Sequence, residues 1–145
     1  MNRDEIDIVA SSWCRARSDP DRLLAAIVER LPGRLPFRVA RAQWIVDAVT
    51  RLAPALGRPA TFAPLAGDLL EARMPLTMDD LAVERDALFG ALGAVGEPMS
   101  AGHQRRAWEM AIQLFSEIVT SVCLDPFGTL TTPTSGAPVA LRCTP

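Results

Sequence analysis

Few residues in this chain could do chemistry, and they are scattered. His103 is the only histidine among 145 residues. It falls in the first turn of a helix that Ser100 would cap, beside Gln104 and Arg105, and reads as a partly exposed surface residue. General acid–base work would need a nucleophile or acid spaced to meet it, and none is. Cys14, Cys123 and Cys143 are odd in number and far apart, so they suggest neither a disulfide framework nor a zinc site. Cys14 and Cys123 lie in helical patterns and read as buried thiols. Asp19-Asp21 and Asp79-Asp80 sit where helices start, and there negative charge answers the helix dipole. No H-E-x-x-H, C-x-x-C or glycine-rich phosphate loop occurs, and no lysine follows Gly90 to Gly96. No metal site and no ordinary enzyme emerge from these residues.

The positioning elements are helices. Asn2 and Glu5 make a capping box ahead of Ile6, Val9, Ala10 and Trp13. Asp19-Pro20 opens a second helix, with Leu23, Leu24, Ile27, Val28 and Leu31 as its apolar stripe, closed by Pro32-Gly33. After a link at Arg34-Leu35-Pro36-Phe37, a longer pattern runs through Ile45, Val46, Val49, Leu52 and Leu56 to Gly57 and Pro59. Pro64 to Arg73 reads as a short helix with Leu65, Leu69 and Leu70 inward. Thr77 caps a fifth, lined by Leu81, Val83, Leu88, Phe89 and Leu92. A last helix carries Ala107, Trp108, Ala111, Leu114, Phe115, Ile118 and Val122 at spacings of three and four. Trp13, Phe37, Phe62, Phe89, Trp108 and Phe115 are expected in the core. The expectation is an all-α domain of about six helices over residues 1–124, with a loose Thr/Pro/Gly/Ser-rich tail over 125–145.

Hydrophobic residues make up 49% and charged residues 22%, which suits one globular core. The formal net charge is −2, which argues against nucleic-acid and membrane-surface roles, since both favour a dense basic face. All fifteen basic residues are arginine and tyrosine is absent. That bias points to a GC-rich, bacterial genome rather than to function. The N-terminus Met1 to Glu5 is polar with no apolar stretch behind it, so no signal peptide is expected and a cytoplasmic home is.

Taken in order, several stretches resemble the single-domain bacterial globins and the globin module of flavohaemoglobins. Ser12-Trp13 is similar to the first helix of that family. Glu29-Arg30-Leu31-Pro32 is similar to the end of the second, and Leu35-Pro36-Phe37 to the corner beyond. Thr77 to Leu81 with Asp86 to Leu92 resembles the penultimate helix. Met99-Ser100-Ala101, Arg106-Ala107-Trp108 and Ile112 to Ile118 resemble the final one. The likeness covers residues 4 to 122 and implies a globin-like fold. It also implies where haem b would sit. Phe37 would pack on the haem face, Arg41 and Ile45 would line the distal side, and Val28 would replace the tyrosine that often holds bound oxygen. The position of the iron-binding histidine falls on Glu71, within Leu69-Leu70-Glu71-Ala72-Arg73, with Met74 a turn further on.

A carboxylate is a hard, anionic donor that suits ferric iron far better than ferrous. It is also costly to bury without a partner. Glu71 therefore reads first as a solvent-facing helix residue pairing with Arg73 or Arg41. Trp44 would help fill a vacant cleft. Two functions follow. One is a haem-free binding or regulatory module, working through an apolar pocket or a surface, with a protein partner or a homodimer left open. The alternative is a haem protein with Glu71 or Met74 as ligand, binding oxygen or nitric oxide or doing slow redox chemistry.

Overall fold

A computed structural model of the chain describes residues 1–58, 60–62, 64–65, 68, 76–96, 102–123 and 129–130. Five long α-helices dominate: α1 (Arg3–Ala16), α2 (Pro20–Arg30), α3 (Leu35–Leu52), α4 (Met78–Val95) and α5 (Gly102–Cys123). Residues 60–62, 64–65 and 68 are helical as well. The architecture is all-α with about six helices, as the periodicity implies. A two-residue antiparallel ladder, β1 (Leu76–Thr77) with β2 (Thr129–Leu130), adds to it, and Leu76 faces Leu130. Two residues of the segment read as a tail are therefore paired. Leu69, Leu70, Ser100 and most of that tail lie outside the described residues, as do Glu71 and Met74.

The helix starts follow local chemistry. Asn2 accepts from the Glu5 amide, and Glu5 returns the bond to the Asn2 amide at 2.8 Å, completing the capping box. Asp19 caps α2 through the Arg22 amide, with Pro20 in the first turn. Gly33, at φ +100, makes the turn into α3; an L side chain there would be strained.

That turn is tighter than the sequence suggests. Residues 34–37 are not a link, because α3 already begins at Leu35, with Pro36 in its first turn. Proline costs nothing there, since a first-turn N–H has no intrahelical acceptor to lose. At its other end α3 stops at Leu52 and tightens into a 3₁₀ turn, Ala53–Ala55, around Pro54.

α2 packs between α3 and α4, while α1 packs on α5 and on the 3₁₀ turn. The core draws on one stripe from each helix. Val9, Ser12, Trp13 and Ala16 face inward from α1, and Leu23, Ile27 and Leu31 from α2. α4 contributes Glu84, Ala87, Leu88, Ala91 and Leu92, and α5 contributes Ala107, Trp108 and Ala111. Each large apolar side chain buried this way contributes about 1.5–3 kcal/mol.

Two tryptophans lock α1 against its neighbours. Trp108 donates its indole N–H to Ser12 Oγ at 2.6 Å, and Ser12 passes a bond to the Val9 carbonyl. Trp13 donates to Thr50 Oγ1 on α3. The two indoles meet edge to face at 6.0 Å.

Two residues expected inside are outside. Phe37 is 67% exposed, since α3 starts earlier than the link reading required and its first turn projects from the body. Cys14 is exposed because it follows Trp13 on α1, and a one-residue step rotates a helical side chain about 100° away from the buried stripe. His103 is exposed, as expected. No helix among the described residues is long and apolar enough to cross a membrane.

Candidate functional site

Three helices turn one stripe each toward a shared cavity. Trp44, Ala48 and Leu52 come from α3 at i, i+4 and i+8, with Ile45 and Val49 alongside. Leu81, Glu84 and Leu88 come from α4, and Trp108, Ala111, Ile112 and Phe115 from α5. Phe62 and Leu56 close one side, and Phe62 meets Phe115 edge to face at 6.5 Å. The space exists because Ala48, Ala53 and Ala111 stand where larger side chains would meet; each is buried.

The cavity measures about 80 Å³. A water needs roughly 10–15 Å³, and an engineered apolar cavity of roughly 150 Å³ in another protein holds benzene. The volume therefore suits an apolar molecule of a few heavy atoms. Pockets for cofactors and drug-sized ligands run to about 300–1,000 Å³.

The polar groups of the wall are few: Glu84, Arg85 and Ser116 among the described residues. Glu84 is 5% exposed and its carboxylate accepts from Arg41 Nε at 3.2 Å, so an arginine of α3 compensates the charge that α4 buries. Asp80, one turn before Glu84, lies 3.9 Å from the same guanidinium. Arg85, near the middle of α4, is the one exposed residue among the described lining residues and forks onto Asp86 Oδ1. No imidazole, thiol or thioether is among the described lining residues. The arrangement can hold an apolar guest, and its polar wall groups among the described residues are the Glu84 carboxylate, the Arg85 guanidinium and the Ser116 hydroxyl.

Of the positions that the resemblance assigns to haem, Glu71 and Met74 lie outside the described residues, and the other four are placed as follows. Ile45 lines the cavity, with Trp44 beside it. Phe37 points to solvent. Val28 is half-buried against the core and is not part of the wall, and Arg41 is held by Glu84.

A second, shallow groove runs between α1 and the start of α5, lined by Asp7, Ile8, Ser11, Arg15, His103 and Gln104. A serine, a histidine and an aspartate thus share one surface. No hydrogen bond or ion pair joins them among the described residues, and nucleophilic catalysis requires such a relay.

Sequence reading missed Glu84, Phe62, Leu81 and Ala48 as a set. The one available signal was an acid on an apolar face: Leu81, Glu84 and Leu88 are spaced for a single helix side, and only an arginine from elsewhere could make that tolerable.

No protein family, no curated protein and no solved structure matches this chain.

Proposed function

We propose that the chain is a haem-free binding module on a globin-like helical scaffold, regulatory rather than catalytic, whose ligand is a small apolar molecule. The observation that supports this is the cavity framed by Trp44, Phe62, Leu88 and Phe115 and left open by three alanines. Its described wall is apolar except at Glu84, Arg85 and Ser116, and ligand pockets of this kind gain affinity from apolar burial while a few polar groups set orientation. Here Glu84 and Arg85 would do the latter. The globin likeness is part of the proposal and rests on the ordered set of residues from Ser12-Trp13 to Ala107-Trp108.

The competing reading, a haem protein with Glu71 or Met74 on the iron, predicts a different spectrum. Titrating haem into the purified protein and recording absorption separates the two. The haem-free reading predicts a flat baseline with no stoichiometric Soret band. A sharp Soret band that saturates at one haem per chain overturns it. A small apolar ligand should instead raise Tm: at a free concentration about a hundred times Kd the gain is about 2.7 kcal/mol, on the order of 5–10 °C for a chain of this length.

A further inference from the structure

Leu35 and Phe37 stand out as large hydrophobic side chains facing solvent, 57% and 67% exposed. They occupy the first turn of α3, directly after the exposed Pro32, Gly33 and Arg34. The same corner is cationic. Residues 31–46 hold Arg34, Arg38 and Arg41 and no acid, in a chain whose net charge is −2. Arg41 is engaged by Glu84, but Arg34 is exposed. Arg38 is half-buried: it donates from Nη1 to the Val28 carbonyl, and its Nε is buried without a hydrogen-bond partner. The start of α3 also lacks a side-chain cap and an acid in its first turn, whereas α1, α2 and α4 each carry acids there. The positive end of an 18-residue helix dipole therefore adds to the arginines.

Area decides what covers this corner. An aromatic or aliphatic side chain of this size exposes on the order of 100 Å² at these fractions, so the two offer a few hundred Å² at most. A stable contact with a second copy or another protein takes about 800 Å² per partner. A bilayer has no such threshold, since single side chains enter the headgroup and acyl boundary one by one while an anionic leaflet attracts each arginine. We propose that the first turn of α3 docks the protein reversibly on anionic phospholipid, with Leu35 and Phe37 entering the interface and the exposed Arg34 meeting lipid phosphates. This site is separate from the cavity and does not depend on the cavity's ligand.

The test is co-sedimentation of the full chain with phosphatidylcholine vesicles, with and without phosphatidylglycerol. Binding is expected only with phosphatidylglycerol and should weaken as salt is raised. Phe37→Ser should lower partitioning about tenfold. Arg34→Glu should lower it at least about five-fold. Both positions are exposed, so far-UV circular dichroism and Tm should be unchanged. Arg105→Glu, the same charge change on α5, should leave binding as it is. The proposal fails if the protein binds neither vesicle or both equally, or if Arg105→Glu is as damaging as Arg34→Glu. It also fails if Phe37→Ser leaves partitioning intact or instead dissociates a dimer seen by light scattering.

Discussion

Arg41 on α3 and Glu84 on α4 meet at 3.2 Å, across 43 residues of chain, at the edge of the cavity. Glu84 is nearly inaccessible and Arg41 is 21% exposed, so the pair is intermediate between a surface bridge and a buried one. Removing one partner of a fully buried pair costs about 3–5 kcal/mol, and solvent at Arg41 reduces that. Arg41→Ala should destabilise the protein by about 1–3 kcal/mol. The double replacement Arg41→Leu/Glu84→Leu should recover most of the loss. Urea unfolding of the two single variants and the double reads both, and additive losses would show that the pair is uncoupled.

Ser12 and Trp108 form a second long-range bond, this one fully buried. Ser12→Ala keeps the packing and deletes the acceptor, leaving an indole N–H without one. That should cost about 1–3 kcal/mol. Trp108→Phe removes donor and volume together, so the double variant should be less damaged than the sum of the singles. Equilibrium unfolding again gives the answer.

Helix count and most of the core were legible because they rest on local signals. The capping box at Asn2 and Glu5 and the Asp19-Pro20 start depend on neighbours a few residues apart. The stripes through Leu23, Ile27 and Leu31 and through Ala107, Trp108 and Ala111 depend on the helical period. The cavity was not legible, because it is an absence produced when Ala48, Ala53 and Ala111 meet from separate segments. Nor was the Arg41–Glu84 pair, since no local rule links residues on two helices. Phe37 was misread for a definite reason. Its aromatic character favours burial, while its place one residue after Pro36, in a helix's first turn, holds it outside.

Glycine substitutions should divide by backbone angle. Gly33 has open space around a would-be Cβ but sits at φ +100, so Gly33→Ala should cost about 1–2 kcal/mol. Gly93, inside α4 and equally unobstructed, should give the opposite sign, with Gly93→Ala stabilising by about 0.5–1 kcal/mol. Thermal denaturation distinguishes the two, and a Gly33→Ala variant as stable as the parent would contradict the turn described above.

Filling the cavity should separate stability from binding. Ala48→Leu adds three carbons to a wall residue that is 3% exposed. If the added atoms occupy the existing space, stability should hold or rise by about 1 kcal/mol, since cavity filling is stabilising where no strain follows. Overpacking would instead cost about 1–3 kcal/mol. Phe62→Ala works in the other direction, enlarging the space at a cost of about 3–5 kcal/mol.

Xenon pressurisation of crystals, with Ala48→Leu as the control, addresses the central claim most directly. The cavity account predicts one xenon atom among Trp44, Phe62, Leu88 and Phe115 in the parent protein, and none there in Ala48→Leu. A parent crystal with no xenon at that place, or with equal occupancy in the filled variant, would contradict it.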